Sequence, residues 1–168
     1  MRFAPVGLAL SLALAMTASA GLSQQQEANP RATMLLAEGR AAMQAGDTQG
    51  AIDAFEAALA VDPAYTPTII LLAEAARKDG LQGKAIRFYR EALVRDPDNL
   101  MAISGEGAAL VEKGAVDKAR RNLAQLESLC GDGCPETVSL AAKIANGPQE
   151  QVLTAEAVMP DAVVTQTN

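Results

Sequence analysis

The chain has 168 residues, enough for one ordinary domain, and with 49% apolar but only 3% aromatic residues its core must be built from Ala, Leu, Ile and Val. It has no histidine and a net charge of −6, which removes the usual general base of hydrolases and the usual activator of Ser and Cys nucleophiles. The acidic balance also argues against nucleic acid and anionic lipid as partners, because both need a basic footprint.

Residues 1–20 are set apart. Arg2 is their only charge, an apolar run from Val6 to Met16 follows, and Ala18-Ser19-Ala20 has the small-x-small form of a signal-peptidase site. The run is shorter than the roughly 20 residues that span a bilayer, so a cleaved signal peptide is preferred to a membrane anchor. No cysteine lies just after the cleavage site, so no lipid-attachment position is expected there. Removing Arg2 from 14 basic residues leaves 13 against 20 acidic, a net of −7 for a mature chain starting near Gly21. A periplasmic or secreted location is expected, with no stable membrane insertion after cleavage. Residues 21–31 read as a flexible linker.

From residue 32 onward the chain repeats itself every 34 residues. Gly46, Gly80 and Gly114 share this interval, as do Ala51, Ala85 and Ala119, then Phe55, Tyr89 and Leu123, and finally Asp62-Pro63, Asp96-Pro97 and Cys130-Gly131. Helices are predicted near 33–45, 48–60, 66–79, 82–94, 100–113 and 116–129. The glycines supply left-handed helix caps within each repeat, and Asp-Pro ends the second helices because proline lacks the amide to continue them. Ala51-x3-Phe55, Ala85-x3-Tyr89 and Ala119-x3-Leu123 place a small residue where helices approach and a larger one in the space between them. Gly39, Ala73 and Gly107 hold the small position of the first helices, and Leu35, Ile69 and Ile103 the large one.

In period and motif, residues 32 to 131 resemble tetratricopeptide repeats. The resemblance implies an all-α, right-handed solenoid of three helix pairs, with repeats at 32–65, 66–99 and 100–131. Glu38 and Glu106 depart from it by standing where Leu is usual, and Ala42 and Ala76 by standing where Tyr is usual.

A repeat stack leaves its last apolar face bare, so a terminal cap is expected. Residues 136–146 provide a helix with a stripe of Val138, Leu140, Ala141, Ile144 and Ala145, stopped by Asn146-Gly147-Pro148. The repeat domain then runs over 32–147. Residues 148–168 are polar, proline-containing and without sustained period, and read as a disordered tail.

Cys130 and Cys134 are the only cysteines. In an exported chain they read first as a disulfide fastening the sixth helix to the cap, a local staple of about 2 kcal/mol. The competing reading is an exported thiol-disulfide protein, although thiol oxidoreductases carry Cys-x2-Cys within an α/β fold. Haem attachment and zinc both lack ligands here, and no Gly-x4-Gly-Lys phosphate loop occurs, so no cofactor and no metal are expected.

The resemblance also implies a concave groove lined by the first helices at positions 2, 5, 9 and 12 of each repeat. Those positions hold Thr33, Leu36, Arg40 and Met43; Pro67, Ile70, Glu74 and Arg77; Met101, Ser104, Ala108 and Val111. Leu36, Met43, Ile70 and Met101 read equally well as helix-packing residues. Arg40 and Arg77 are placed to converge on one acidic group, or else serve surface solubility. The Lys and Asn set by which some relatives clamp a peptide carboxylate is absent. The sequence thus points to a noncatalytic adaptor of the bacterial envelope holding a segment of another envelope protein in its groove. The alternative is a structural subunit of an assembly, secretion or pilus machine, docking by its convex face or tails.

Overall fold

The computed structural model describes residues 29–148, which form seven α-helices and no strand. They are α1 (Pro30–Ala45), α2 (Thr48–Val61), α3 (Thr66–Lys78), α4 (Gln82–Arg95), α5 (Leu100–Glu112), α6 (Val116–Cys130) and α7 (Pro135–Asn146). The six repeat helices lie where the period predicts. α1 starts earlier, and this corrects the end of the expected linker: Asn29 accepts a hydrogen bond from the Arg31 amide at 2.9 Å, and Pro30 is preorganised for the first turn. The signal peptide and most of the linker and tail lie outside the described residues. Among those described, no helix is long and apolar enough to cross a membrane.

The turns inside the three repeats are built alike. Gly46, Gly80 and Gly114 adopt φ of 81°, 77° and 79°. The amides that follow, of Asp47, Leu81 and Ala115, reach back to the carbonyls of Ala42, Ala76 and Leu110 at 2.9, 2.9 and 2.8 Å. This satisfies carbonyls that the ended helix would leave without partners. Asp47 and Asn99 cap α2 and α5 by accepting from the amides of Gly50 and Ala102.

Each pair buries its small-residue faces against each other. Phe55 is fully buried, and its ring lies so close to Gly39 that a Cβ there would sit 2.4 Å from the ring. Tyr89 uses Gly105 of the next repeat in the same way, at 2.3 Å. A main core runs from Ala32 to Ala119, and Ile103, Leu126 and Leu140 form a second cluster under the cap.

α7 closes the stack by a stripe shifted from the expected one. Thr137 and Leu140 are buried, with Ala141 and Ile144 half-buried, whereas Val138 is 54% exposed and Ala145 is exposed too. The docking site on α5 explains the shift, because Leu140 inserts against Gly107, where a Cβ would fall 2.5 Å from Leu140 Cδ2. Cys130 Sγ and Cys134 Sγ are joined at 1.99 Å between α6 and α7, with the Thr137 hydroxyl beside both.

Glu106 and Glu38, the two departures from the usual Leu, have different fates. Glu106 is buried and fully engaged: it accepts from Arg90 Nε at 2.7 Å and from Asn122 Nδ2 at 3.1 Å. Those partners offset the cost of burying a carboxylate. Glu38 is exposed.

Candidate binding groove

The first helices and the cap together form a groove of about 340 Å³. α3 contributes Ile70, Glu74 and Arg77, α5 contributes Met101, Ser104, Gly105 and Ala108, and α7 contributes Pro135, Glu136, Ser139 and Lys143. Tyr89 of α4 also reaches it, because the absent side chain at Gly105 makes room for the phenol. Ile70, Met101 and Ala108 supply apolar surface, most of it from Met101, which is 56% exposed, while Ile70 is buried and Ala108 half-buried.

The charged wall centres on Glu112. Its Oε1 pairs with Arg77 Nη1 at 2.6 Å and with Lys143 Nζ, and its Oε2 accepts from Gln82 Nε2 at 3.2 Å. Burial works to raise the Glu112 carboxyl pKa, but the Lys143 hydrogen bond and the Arg77 charge outweigh it and hold the group below its ordinary range. Arg77 mirrors this, since burial alone would lower its pKa while Glu112 and Tyr89 hold it above the usual value. Tyr89 is pushed up to about 12, chiefly by burial, with Arg77 opposing and Glu74 and Glu112 adding to the rise. Fixed charges and a neutral phenol thus border the apolar floor at neutral pH.

Five of the nine residues expected to meet a partner line this groove: Ile70, Glu74, Arg77, Met101 and Ser104. Leu36 and Val111 do not, being 2% and 0% exposed in the core. Position 5 of the first repeat and position 12 of the third turn inward against neighbouring helices, so the repeat register alone placed them wrongly. Met43 is half-buried against the core, and Arg40 is exposed on α1 away from the groove residues. Arg77 does not stand ready to share an external acid with Arg40, because Glu112 of its own chain already takes its guanidinium. Ser104 makes a structural contact as well, its hydroxyl donating to the Glu136 carbonyl across to α7 at 3.4 Å.

Tyr89, Glu112 and Lys143 were not anticipated. Tyr89 occupies the core aromatic position of its repeat, and only the glycine at 105 signals that its ring extends past the core. Lys143 sits on the cap helix, whose facing is set by how it docks rather than by the 34-residue period.

Residues 32–65 match the family model described as tetratricopeptide repeat. That stretch spans α1, α2 and the turn into α3, so the first helix pair is a tetratricopeptide repeat. The solved tetratricopeptide structures that it resembles include the Sgt2 domain from Aspergillus fumigatus, with a TM-score of 0.64 and 23% identity, covering 83% of this chain and 91% of that one. The TPR2B domain of yeast Sti1, solved as a complex with pHsp70, superposes with a TM-score of 0.62 at 18% identity over 70% of this chain and 98% of that one. The Yersinia enterocolitica type III secretion chaperone SycD, in complex with a peptide of the translocator YopD, gives 0.59 at 20% identity over 68% and 86%. No curated protein matches the sequence. At these identities the structural likeness establishes the tetratricopeptide solenoid, and the groove's own side chains carry the argument about what it holds.

Proposed function

We propose that this chain is a noncatalytic adaptor that holds an extended segment of another protein in the groove between α3, α5 and α7. The observation that carries the reading is the juxtaposition of an apolar floor, exposed at Met101 and continued by half-buried Ala108 and the edge of buried Ile70, and a charged wall of Glu74, Arg77 and Lys143, the last two held by Glu112 behind them. Such a surface takes apolar side chains of a peptide while the charges select its polar ones, and it needs no reactive group. Peptide complexes among the structural relatives support the same use of the fold.

The small-residue cleavage signature at Ala18-Ser19-Ala20 supports export to a bacterial envelope, where the partner is another envelope protein and the Cys130–Cys134 link persists. There the link holds α7 at the position from which it walls the groove.

The test is partner capture by cross-linking in the intact envelope. Met101→Glu introduces a charge on the apolar floor and should weaken capture at least about tenfold, roughly 1.4 kcal/mol. Val94→Glu, at an 83% exposed position on the second helix of its repeat, should leave capture unchanged. The reverse pattern would assign docking to the convex face and reject the groove.

A further inference from the structure

The described chain ends just past Asn146 and Gly147, which lie beside the groove. Asn146 and Gly147 line a cleft together with Arg77, Lys78 and Lys143, in which Glu112 is the only carboxylate. Arg77 and Lys143 share that one carboxylate and Lys78 has Glu74 beside it at 3.4 Å, so three cations face two carboxylates and one positive charge is left over, in a chain whose net charge is −6. Residues 149–168 carry the opposite sign: Glu150, Glu156 and Asp161, with no Lys or Arg.

Although these residues have no strict period, they repeat a phrase. Glu150-Gln-Val152-Leu153, Glu156-Ala-Val158-Met159 and Asp161-Ala-Val163-Val164 each place an acid two residues ahead of a valine and a second apolar residue. The groove offers the complementary pair of chemistries side by side, because Arg77 and Lys143 border both the charged cleft and the floor made by Ile70, Met101 and Ala108. Reach is sufficient: 20 residues extend to about 66 Å at most, while crossing from α7 to α1 at ordinary helix spacing takes about 30 Å.

We propose that residues 149–168 dock in the groove of their own chain, one acid-x-Val-apolar copy at a time, with the acid on Lys143 or Lys78 and the apolar pair on Ile70 and Met101. This rests on the reading of the groove as a peptide site, and makes the chain's own segment the competitor that a partner displaces. Tethering gives the segment an effective concentration of order millimolar, so even a weak fit occupies the groove until a better ligand arrives. Three copies of the phrase offer three alternative occupants, which raises occupancy without requiring any one copy to bind tightly.

Zero-length carbodiimide coupling of the full chain, followed by mass analysis of the monomer, tests this without any partner present, so it can fail while partner capture succeeds, and the reverse. Glu156 and Asp161 should couple to Lys78 and Lys143 about fivefold or more above their coupling to Lys84 and Lys118 on the second helices. Even coupling to all four lysines overturns the proposal. So does coupling found only in dimers, which would assign the groove to a second copy. An independent check is the methyl spectrum of the full chain carrying Glu150→Lys, Glu156→Lys and Asp161→Lys. Ile70 and Met101 methyls should move relative to the parent while those of Ile52 and Ile86 stay, and unmoved Ile70 and Met101 methyls overturn it.

Discussion

The first and third repeats solve the same packing problem with different parts. In the first, the glycine of the leading helix, Gly39, receives Phe55 from the repeat's own second helix. In the third, the residue in register with Phe55 is Leu123, which is only half-buried, and the equivalent glycine, Gly107, receives Leu140 from α7 instead. A short residue at 123 thus transfers the job of filling the niche to the cap. The first repeat is complete within itself, while the third borrows a side chain from beyond its own end, and that loan is what holds α7 against the groove.

The sharpest way to break this contrast is to remove the two fillers. Phe55→Ala should cost about 3–5 kcal/mol and Leu140→Ala about 2–5 kcal/mol, read from denaturant unfolding. Hydrogen exchange should separate them: Phe55→Ala opens α1 and α2, whereas Leu140→Ala opens α7 and the adjoining face of α5 first. Equal opening at both ends in either variant would mean that the stack responds as one unit and that the difference between repeats has no local energetic meaning.

A smaller effect distinguishes a glycine that receives a ring from one that meets nothing. Gly39→Ala drives a Cβ to within 2.4 Å of Phe55, and overpacking of this kind costs about 1–3 kcal/mol, more than the helix propensity gained. Gly83→Ala, in α4 with only the Lys113 amine 3.8 Å away, should instead stabilise by about 0.4–1 kcal/mol. Thermal melts of the two variants should therefore shift in opposite directions, and a shared direction would remove ring insertion as the reason for Gly39.

The smallest expected effect tests how the third repeat is fastened to the cap electrostatically. Glu112 has a folded-state pKa below its unfolded value, so its contribution is fully present above the unfolded carboxylate range and is lost as pH falls through the folded value. Glu112→Gln should accordingly flatten the acid side of the stability profile relative to the parent. An unchanged acid limb would show that Lys143 and Arg77 gain nothing from that carboxylate in the fold. Solvent screening of this half-buried cluster keeps its contribution below those of the buried side chains.

The helices and turns were legible because they depend on local signals repeated at fixed spacing: a glycine that ends one helix, an Asp-Pro that ends the next, and small residues where they touch. The start of α1 was not, since Asn29-Pro30 is a helix start that lies outside the repeating unit. The groove was only half legible. Position within a repeat brings Ile70, Glu74, Met101 and Ser104 to one groove, but it cannot register that Leu36 and Val111 turn inward or that Arg77 is already paired. Those facts depend on which side chains neighbouring helices present, as does the facing of α7, where Thr137 replaces Val138 on the buried stripe.

Gly46, Gly80 and Gly114 have one more implication, and it concerns handedness. Each holds a backbone conformation that suits the mirror-image form of an amino acid, and a Cβ built at each would find open space. The ribosome offers only one residue without a hand, and the chain uses it at these three bends. Chemical synthesis has a wider choice: D-alanine at the same places keeps the bend and removes the freedom that glycine has in the unfolded chain.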